Sequence, residues 1–242
     1  MRIAVVSDVH ANLLALEAVL GAIGSVDAIW HLGDIVGYGP EPQAVMDRLR
    51  GAGAIGVRGN HDDAAGGSDS IEQFNPDGRR AMEWTRSRIS ERARIYLAGL
   101  PERRVPDGSP FTLVHGSPRD PIWEYLVSTS MAQSNLAAFE TPYCLVGHTH
   151  VPVVFREQRG KMQSTRVHDG DVLELDARRL IVNPGSVGQP RDHDPRSSYL
   201  TIDTEAARVT WHRVAYDVRA TQAAMIAAGL PKGLADRLKS GP

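Results

Sequence analysis

The chain has 242 residues, of which 42% are hydrophobic and 23% charged, and 27 basic against 29 acidic side chains leave a net charge of −2. This balance excludes an intrinsically disordered chain and a global basic field that would attract nucleic acid or an anionic membrane surface. The single cysteine, Cys144, excludes an intramolecular disulfide and a thiolate-built metal site, so the nine histidines and the carboxylates must bind any metal.

Short apolar runs alternate with amphipathic stretches in the first quarter of the chain. The first predicted strand, 3–7, is followed by Asn12, a good helix N-cap, and by leucines at helical spacing. The same order repeats, with strands predicted at 28–32 and 54–57 and a helix at 41–51. Strands that alternate with helices are typical of a parallel sheet with right-handed crossovers.

The N-terminal strand also bears on location. It ends at a carboxylate, Asp8, where a signal peptide would continue its apolar stretch. No segment approaches the run of about 18 apolar residues that a membrane span requires. We therefore expect a cytoplasmic protein with no membrane partner.

A long helical stretch at 69–100 interrupts the alternation and predicts two helices. Two interpretations of this insertion stay open. It is either a solvated helical face or a lid over a site, whose inner side selects the substrate through Phe74, Asn75 or Trp84.

Short strands and tight turns dominate the second half of the chain. Strands are predicted at 111–114, 143–146, 151–157, 161–168, 171–175, 179–183, 197–203 and 207–213, with helices near 130–139 and 217–228 and a short helical tail. The predicted fold class is α/β, a four-layer α/β/β/α sandwich of two mixed sheets flanked by helices. We expect one domain over 1–242, with the helical insertion at about 69–100.

Metal-ligand residue types follow five of the predicted strands. Ligands bind outside the carboxyl ends of strands in open α/β sheets, so these junctions place their side chains at one edge. The side chains are Asp8, His10, Asp34, Asn60, His115, His148 and His150. Mixed nitrogen and oxygen ligation suits Mn, Fe, Co, Ni or Zn better than Ca or Mg. Seven ligands suit two ions about 3.5–4 Å apart with a bridging carboxylate.

Five motifs occur at these junctions, in the order Asp8-x-His10, Gly33-Asp34, Gly59-Asn60-His61-Asp62, His115 and Gly147-His148-x-His150. In this order and spacing they resemble the calcineurin-like metallophosphoesterase superfamily, over nearly the whole chain. The segments Gly33–Gly39 and Asn183–Gly188 are similar to those of its small bacterial and archaeal branch of phosphodiesterase-like proteins.

The resemblance implies a hydrolase with two divalent metal ions. By position, Asp8, His10 and His150 would bind one ion, Asn60, His115 and His148 the other, and Asp34 both. A hydroxide between the ions would attack phosphorus. His61 would donate a proton to the leaving oxygen, and Asp62 would orient its ring. Manganese is the expected metal, with iron, zinc, nickel, cobalt or magnesium as alternatives.

The sequence departs from the protein-phosphatase branch at Gly37-Tyr38-Gly39, where that branch has an Asp-Arg-Gly segment whose arginine binds the phosphomonoester. Loss of this arginine favours a monoanionic phosphodiester, although Arg58 precedes Gly59 as an arginine does in that branch. The candidate substrate contacts are Arg58, Tyr38, Arg119 and Asn183.

The predicted function is that of a metal-dependent phosphodiesterase acting on a small phosphate ester. Two alternatives stay open: a phosphomonoesterase or protein serine/threonine phosphatase, and a non-catalytic metal-binding scaffold of the same fold. The oligomeric state is not predicted. The histidines outside the motifs are expected to be ordinary surface or core residues; they are His31, His168, His193 and His212.

Overall fold

The computed structural model describes residues 1–240, which form twelve strands and eight α-helices. The strands are β1 (Arg2–Val6), β2 (Ala28–His31), β3 (Ile55–Gly56), β4 (Arg103–Arg104), β5 (Phe111–Val114), β6 (Tyr143–Leu145), β7 (Val153–Gln158), β8 (Lys161–Arg166), β9 (Val172–Glu174), β10 (Leu180–Asn183), β11 (Ser197–Asp203) and β12 (Arg208–Val214). The helices are α1 (Leu13–Ile23), α2 (Pro42–Gly51), α3 (Asn60–Gly66), α4 (Pro76–Arg88), α5 (Glu91–Ala98), α6 (Thr129–Asn135), α7 (Val218–Ala227) and α8 (Lys232–Ser240), with 3₁₀ turns at Asp69–Gln73 and Leu136–Ala138.

The strands form two mixed sheets of six. The first has the order β3-β2-β1-β11-β12-β9 and the second β4-β5-β6-β10-β7-β8. Strands β1, β2 and β3 are parallel to one another, as are β5, β6 and β10. The carboxyl ends of each parallel set therefore meet at one edge of its sheet.

The alternation of side chains along the strands builds the layers. On β1, Ile3 and Val5 pack between the sheets, whereas Val6 packs under the helices. On β6, Leu145 faces the core between the sheets and Cys144 faces the outer core beside α6. Two sheets with a shared core and helices on both outer faces confirm the predicted α/β/β/α sandwich.

Most predicted elements are present, with one addition that matters for the site. The stretch after Gly59, for which no helix is predicted, forms the short helix α3 from Asn60. The helical stretch 69–100 contains α4 and α5, as predicted, preceded by a 3₁₀ turn. Within residues 1–240, none of the helices has the length and apolar character needed to cross a bilayer.

Candidate metal centre

The structure brings all seven predicted ligand residues together with His61. Asp8 and His10 follow β1, Asp34 follows β2, Asn60 and His61 begin α3 after β3, His115 follows β5, and His148 and His150 follow β6. Each of these eight residues is at most 4% exposed. Two neighbouring groups of nitrogen and oxygen atoms result, and Asp34 belongs to both.

The first group contains Asp8, His10 and His150. The Nε2 atoms of His10 and His150 lie 3.1 Å apart. Asp8 Oδ1 lies 3.3 Å from His150 Nε2 and 3.9 Å from His10 Nε2. These three side chains thus direct their potential ligand atoms at one point.

The second group contains Asn60, His115 and His148. His115 Nε2 lies 3.0 Å from His148 Nδ1 and 3.2 Å from Asn60 Oδ1. Asp34 lies between the two groups, because its Oδ2 is 3.4 Å from His115 Nε2 and 3.7 Å from His10 Nε2. Its position suits a carboxylate shared by two cations.

Hydrogen bonds on the far side of each ring fix which imidazole nitrogen faces the site. His10 Nδ1 lies 3.3 Å from the carbonyl oxygen of Val36, and His150 Nδ1 lies 2.6 Å from that of Gln189. A carbonyl oxygen only accepts, so these nitrogens carry the proton and both Nε2 atoms present lone pairs.

The second group follows the same rule. His115 Nδ1 donates to Leu32 O at 2.8 Å and His148 Nε2 donates to Trp123 O at 3.2 Å. When the rings are neutral, the facing nitrogens of each group, about 3 Å apart, are both acceptors, which repel each other unless a proton or a metal cation lies between them. The donor set therefore fits two divalent cations with mixed nitrogen and oxygen ligation.

Burial favours the neutral imidazoles that such ligands require. It lowers the pKa of His10 and His150 well below the ordinary value and that of His148 to about 3. At His115 burial acts in the same direction, but the Asp34 carboxylate outweighs it and raises the pKa to about 9. A cation at this position would replace the proton that Asp34 attracts.

The backbone is strained at five of the seven residues. Asp8, His10, Asp34, His148 and His150 have φ values of 53°, 49°, 51°, 65° and 60°. This left-handed region is unfavourable for residues with a Cβ, and it persists where the surrounding structure enforces it. Sharp turns directly after the strands direct these side chains toward one another.

His61 lies beside the two groups in a largely aromatic surrounding. Its ring centroid is 4.3 Å from that of Tyr38 and 4.7 Å from that of Phe74, and its Nδ1 is 3.1 Å from Met82 Sδ. Gly37 leaves room for the ring, since a Cβ there would lie 2.2 Å from His61 Nδ1. The thioether only accepts, so Nε2, 3.9 Å from Asp34 Oδ2, faces the site.

Asp62 does not orient the His61 ring, contrary to the sequence prediction. Its Oδ1 accepts from the backbone amides of Ile35 and Val36 at 2.9 and 3.3 Å, and its Oδ2 accepts from that of Gly59 at 3.1 Å. Burial and then the charge of Asp34 raise its pKa to about 7, against the effect of these amides. Asp62 thus links two segments, the loop after β2 that contains Asp34 and the start of α3.

Of the four candidate substrate contacts, only Tyr38 packs against the metal groups, 4.6 Å from the His10 ring. Arg58 donates to Ala98 O and Glu102, and Arg119 donates to Glu124. Both guanidinium groups are thus bound to protein partners.

Asn183, the fourth candidate, is fully buried. Its Nδ2 donates to Gly147 O at 2.7 Å and Thr149 Oγ1 at 3.1 Å, and its Oδ1 accepts from Gly185 N at 2.8 Å. It therefore supports the loop that carries His148 and His150.

Several groups around the site are not predicted from the sequence. Gln189 and Trp123 contribute only their carbonyl oxygens, which any residue type could supply, so no signal identifies them. Met82 and Tyr125 touch His61 and His148, and their residue types are equally common in cores. Phe74 was singled out as a selecting residue of the insertion, and the structure places it against His61.

Comparison with known proteins identifies the family. The sequence profile of the calcineurin-like phosphoesterase superfamily domain matches residues 1–207. The chain belongs to this superfamily. The superfamily uses divalent metals, and the two groups around Asp34 provide histidine and aspartate ligands of the kind that bind them.

Several known proteins resemble the chain along most of its length. The crystal structure of a metallophosphoesterase from Sphaerobacter thermophilus has a TM-score of 0.91 and 51% identity, covering 100% of this chain and 99% of that one. An uncharacterised protein of Methanocaldococcus jannaschii is 34% identical over 99% of this chain and 98% of its own. The phosphodiesterase YfcE of Escherichia coli is 27% identical over 86% of this chain and 91% of its own.

Proposed function

We propose that this protein is a metal-dependent phosphodiesterase with a dinuclear centre. The observation that carries the proposal is the pair of imidazole groups with facing lone pairs, 3.1 and 3.0 Å apart, on either side of Asp34. This arrangement is unfavourable without cations and suits two of them. Asp8, His10 and His150 would hold one ion, Asn60, His115 and His148 the other, and Asp34 both.

Two bound divalent ions would supply a water of lowered pKa and positive charge against the phosphoryl oxygens. The protein's own part is to fix the ligands and exclude bulk water. Each ligand is buried, and each imidazole is held by a carbonyl oxygen behind it. Ligands held in this way need little rearrangement when the ions bind.

We assign to His61 the role of donating a proton to the leaving oxygen. Met82 holds Nδ1, so Nε2 is the atom that faces the substrate. Burial lowers the pKa of His61 to about 4, which leaves the ring neutral in the free protein. A phosphate anion beside the ring favours its charged form and opposes this effect, so the acid forms with substrate bound.

The contacts of Arg58 and Tyr38 support a diester over a monoester. Tyr38 stands in the Gly37–Gly39 segment, where the protein-phosphatase branch has its arginine, and Arg58 is paired with Glu102. A dianionic monoester would then lack a protein cation to balance its second negative charge. A monoanionic diester has only one negative charge and needs such a cation less. The relative YfcE is named a phosphodiesterase, in agreement with this reading.

Hydrolysis of bis(p-nitrophenyl) phosphate and p-nitrophenyl phosphate, compared with added Mn²⁺, tests the proposal. We expect the diester to have the higher kcat/KM, and a preference for the monoester would overturn the diester assignment. Parallel assays with iron, zinc, nickel, cobalt and magnesium test our expectation of manganese. Protein that hydrolyses neither ester after addition of Mn²⁺ would favour the non-catalytic scaffold alternative.

The role of His61 has its own test. His61→Ala should keep two equivalents of metal and lose turnover by a factor of about 10²–10⁴, the usual contribution of general acid catalysis. His168→Ala is the matched control, because His168 is exposed and lies outside both ligand groups. Turnover of His61→Ala equal to that of the control would remove His61 from the mechanism.

A further inference from the structure

A groove of about 600 Å³ opens beside the candidate metal centre, on the side of His148 and His150. Its lining includes Thr149 and Val151, which alternate with these two histidines along the chain. Tyr125 forms one wall and stacks on the His148 ring, with centroids 3.8 Å apart and planes at 25°. Its volume falls within the range of small-molecule sites.

The groove is lined by both apolar and cationic side chains. Val153 and Phe155 of β7 contribute the floor, and their cross-strand partners Arg166 and Ser164 on β8 extend it. Tyr125 is 46% exposed, so the ring face that His148 leaves free is available to a ligand. A flat apolar group fits such a wall.

Arg191 lines the groove and is tied to the metal centre. Its Nη2 donates to Gln189 Oε1 at 3.2 Å, and the Gln189 carbonyl accepts from His150 Nδ1 at 2.6 Å. Gln189 therefore connects the guanidinium of Arg191 to the ring of His150 through two hydrogen bonds.

Among the described residues, Arg191 has no close carboxylate partner. Nearby arginines are paired, Arg196 with Asp169 and Arg213 with Asp192. Among the side chains that the structure describes, no carboxylate oxygen lies within 4.0 Å of the guanidinium of Arg166 or Arg191. Two such cations beside an apolar wall favour a ligand that is both anionic and flat.

We propose that this groove binds one ester arm of the substrate, with a flat ring against Tyr125 and a phosphoryl oxygen on Arg191. The substrate class is then a nucleotide-like phosphodiester. The inference rests on the proposed phosphodiesterase function. It adds that the groove recognises one ester arm of the substrate.

Two diesters that release the same leaving group test the inference. The p-nitrophenyl ester of thymidine 5′-monophosphate carries a ring on its second arm, and methyl p-nitrophenyl phosphate does not. We expect the wild type to have the lower KM for the thymidine ester. Tyr125→Ala should raise this KM about 5- to 150-fold, the range for loss of one base–aromatic stack, and should raise the KM of the methyl ester less.

Arg191→Gln should raise KM for both esters by roughly 10-fold or more, because both lose a charged hydrogen bond. Arg156→Gln is the matched control, since Arg156 lies on β7 but points to the opposite face from Phe155. Metal analysis of each variant shows whether the ions are retained. An unchanged ester preference in Tyr125→Ala with full metal content would overturn the inference.

Binding of thymidine 5′-monophosphate, measured by titration calorimetry in Mn²⁺, gives a readout independent of turnover. Weaker binding to Arg191→Gln and Tyr125→Ala, but not to Arg156→Gln, supports the groove. Equal binding to all four proteins, or no binding to the wild type, refutes it. If the wild type hydrolyses neither diester, the proposed function fails, and the titration still decides on the groove.

Discussion

Asp62→Asn tests whether the loop of Asp34 and the start of α3 are joined by one carboxylate. The two oxygens of Asp62 accept from three backbone amides, those of Ile35, Val36 and Gly59. An asparagine keeps one acceptor oxygen and turns an amide group toward the remaining N–H. The variant therefore loses at least one charge-assisted hydrogen bond and leaves one buried N–H without an acceptor.

The expected loss is about 1–3 kcal/mol, the cost of leaving one buried donor without an acceptor. This is a large share of the 5–15 kcal/mol that stabilises a typical domain, yet it leaves the chain folded. The local effect is greater at Gly59, because Asn60 and His61 follow it directly. We expect the second metal group to weaken before the first.

Urea unfolding at pH 8, above the pKa of Asp62, measures the stability, and metal analysis counts the ions. We expect the metal content to fall from two equivalents toward one. Asp47→Asn is the control, because Asp47 is exposed on α2 and bonded only to Gln43, and such surface changes stay within about 0.5 kcal/mol. An Asp62→Asn protein that matched this control in both measurements would refute the reasoning.

Three further predictions concern strain, metal and acid. Gly37→Ala places a Cβ 2.2 Å from His61 Nδ1 at a φ of 88°, so kcat should fall while metal analysis still finds two ions. Chelation should lower the Tm in calorimetry, since a ligand at 100 times its Kd stabilises the folded state by about 2.7 kcal/mol. Below pH 6.5 the metal-free protein should lose stability. Burial lowers the pKa of His148 to about 3 and that of His61 to about 4 in the folded protein. The imidazoles of the unfolded chain take up protons at about 6.5, so acid favours unfolding. A urea midpoint constant from pH 7 to pH 5 would contradict this last prediction.

The fold class and the meeting of the seven residues were predictable for one physical reason. Apolar runs mark strands, parallel strands end at a common edge, and the polar residues that end them must meet there. Asp8 and His115 show the rule across both sheets, since each directly follows its strand by one or two residues. The local sequence pattern was sufficient to predict the site because the ligand residues lie at the strand ends.

The role of Asp62 was not predictable, because α3 has no apolar period to reveal it. Its seven residues, Asn60–Gly66, include two alanines and two aspartates. Interpreted as a loop, the segment allows Asp62 to reach the His61 ring. In a helix, neighbouring side chains point about 100° apart, which turns Asp62 toward Ile35, 27 residues earlier in the chain.

The same limit applies to the arginines. Arg58 is paired with Glu102, 44 residues away, and this pairing depends on how α5 and β4 pack after β3. Arg191 has no motif of its own, and only the structure shows that it shares a groove with Tyr125. A sequence shows that an arginine is present, whereas its role depends on which carboxylates the fold brings near.

The left-handed φ values of Asp8, His10, Asp34, His148 and His150 have a consequence for engineering. Each costs roughly 1 kcal/mol relative to glycine, so the five together oppose folding by an amount comparable to the margin of a small domain. Glycine at any of them would relieve this strain but remove a ligand and the buried hydrogen bonds of its side chain. Stabilised variants should therefore be selected with a divalent metal present, so that the ligands are retained.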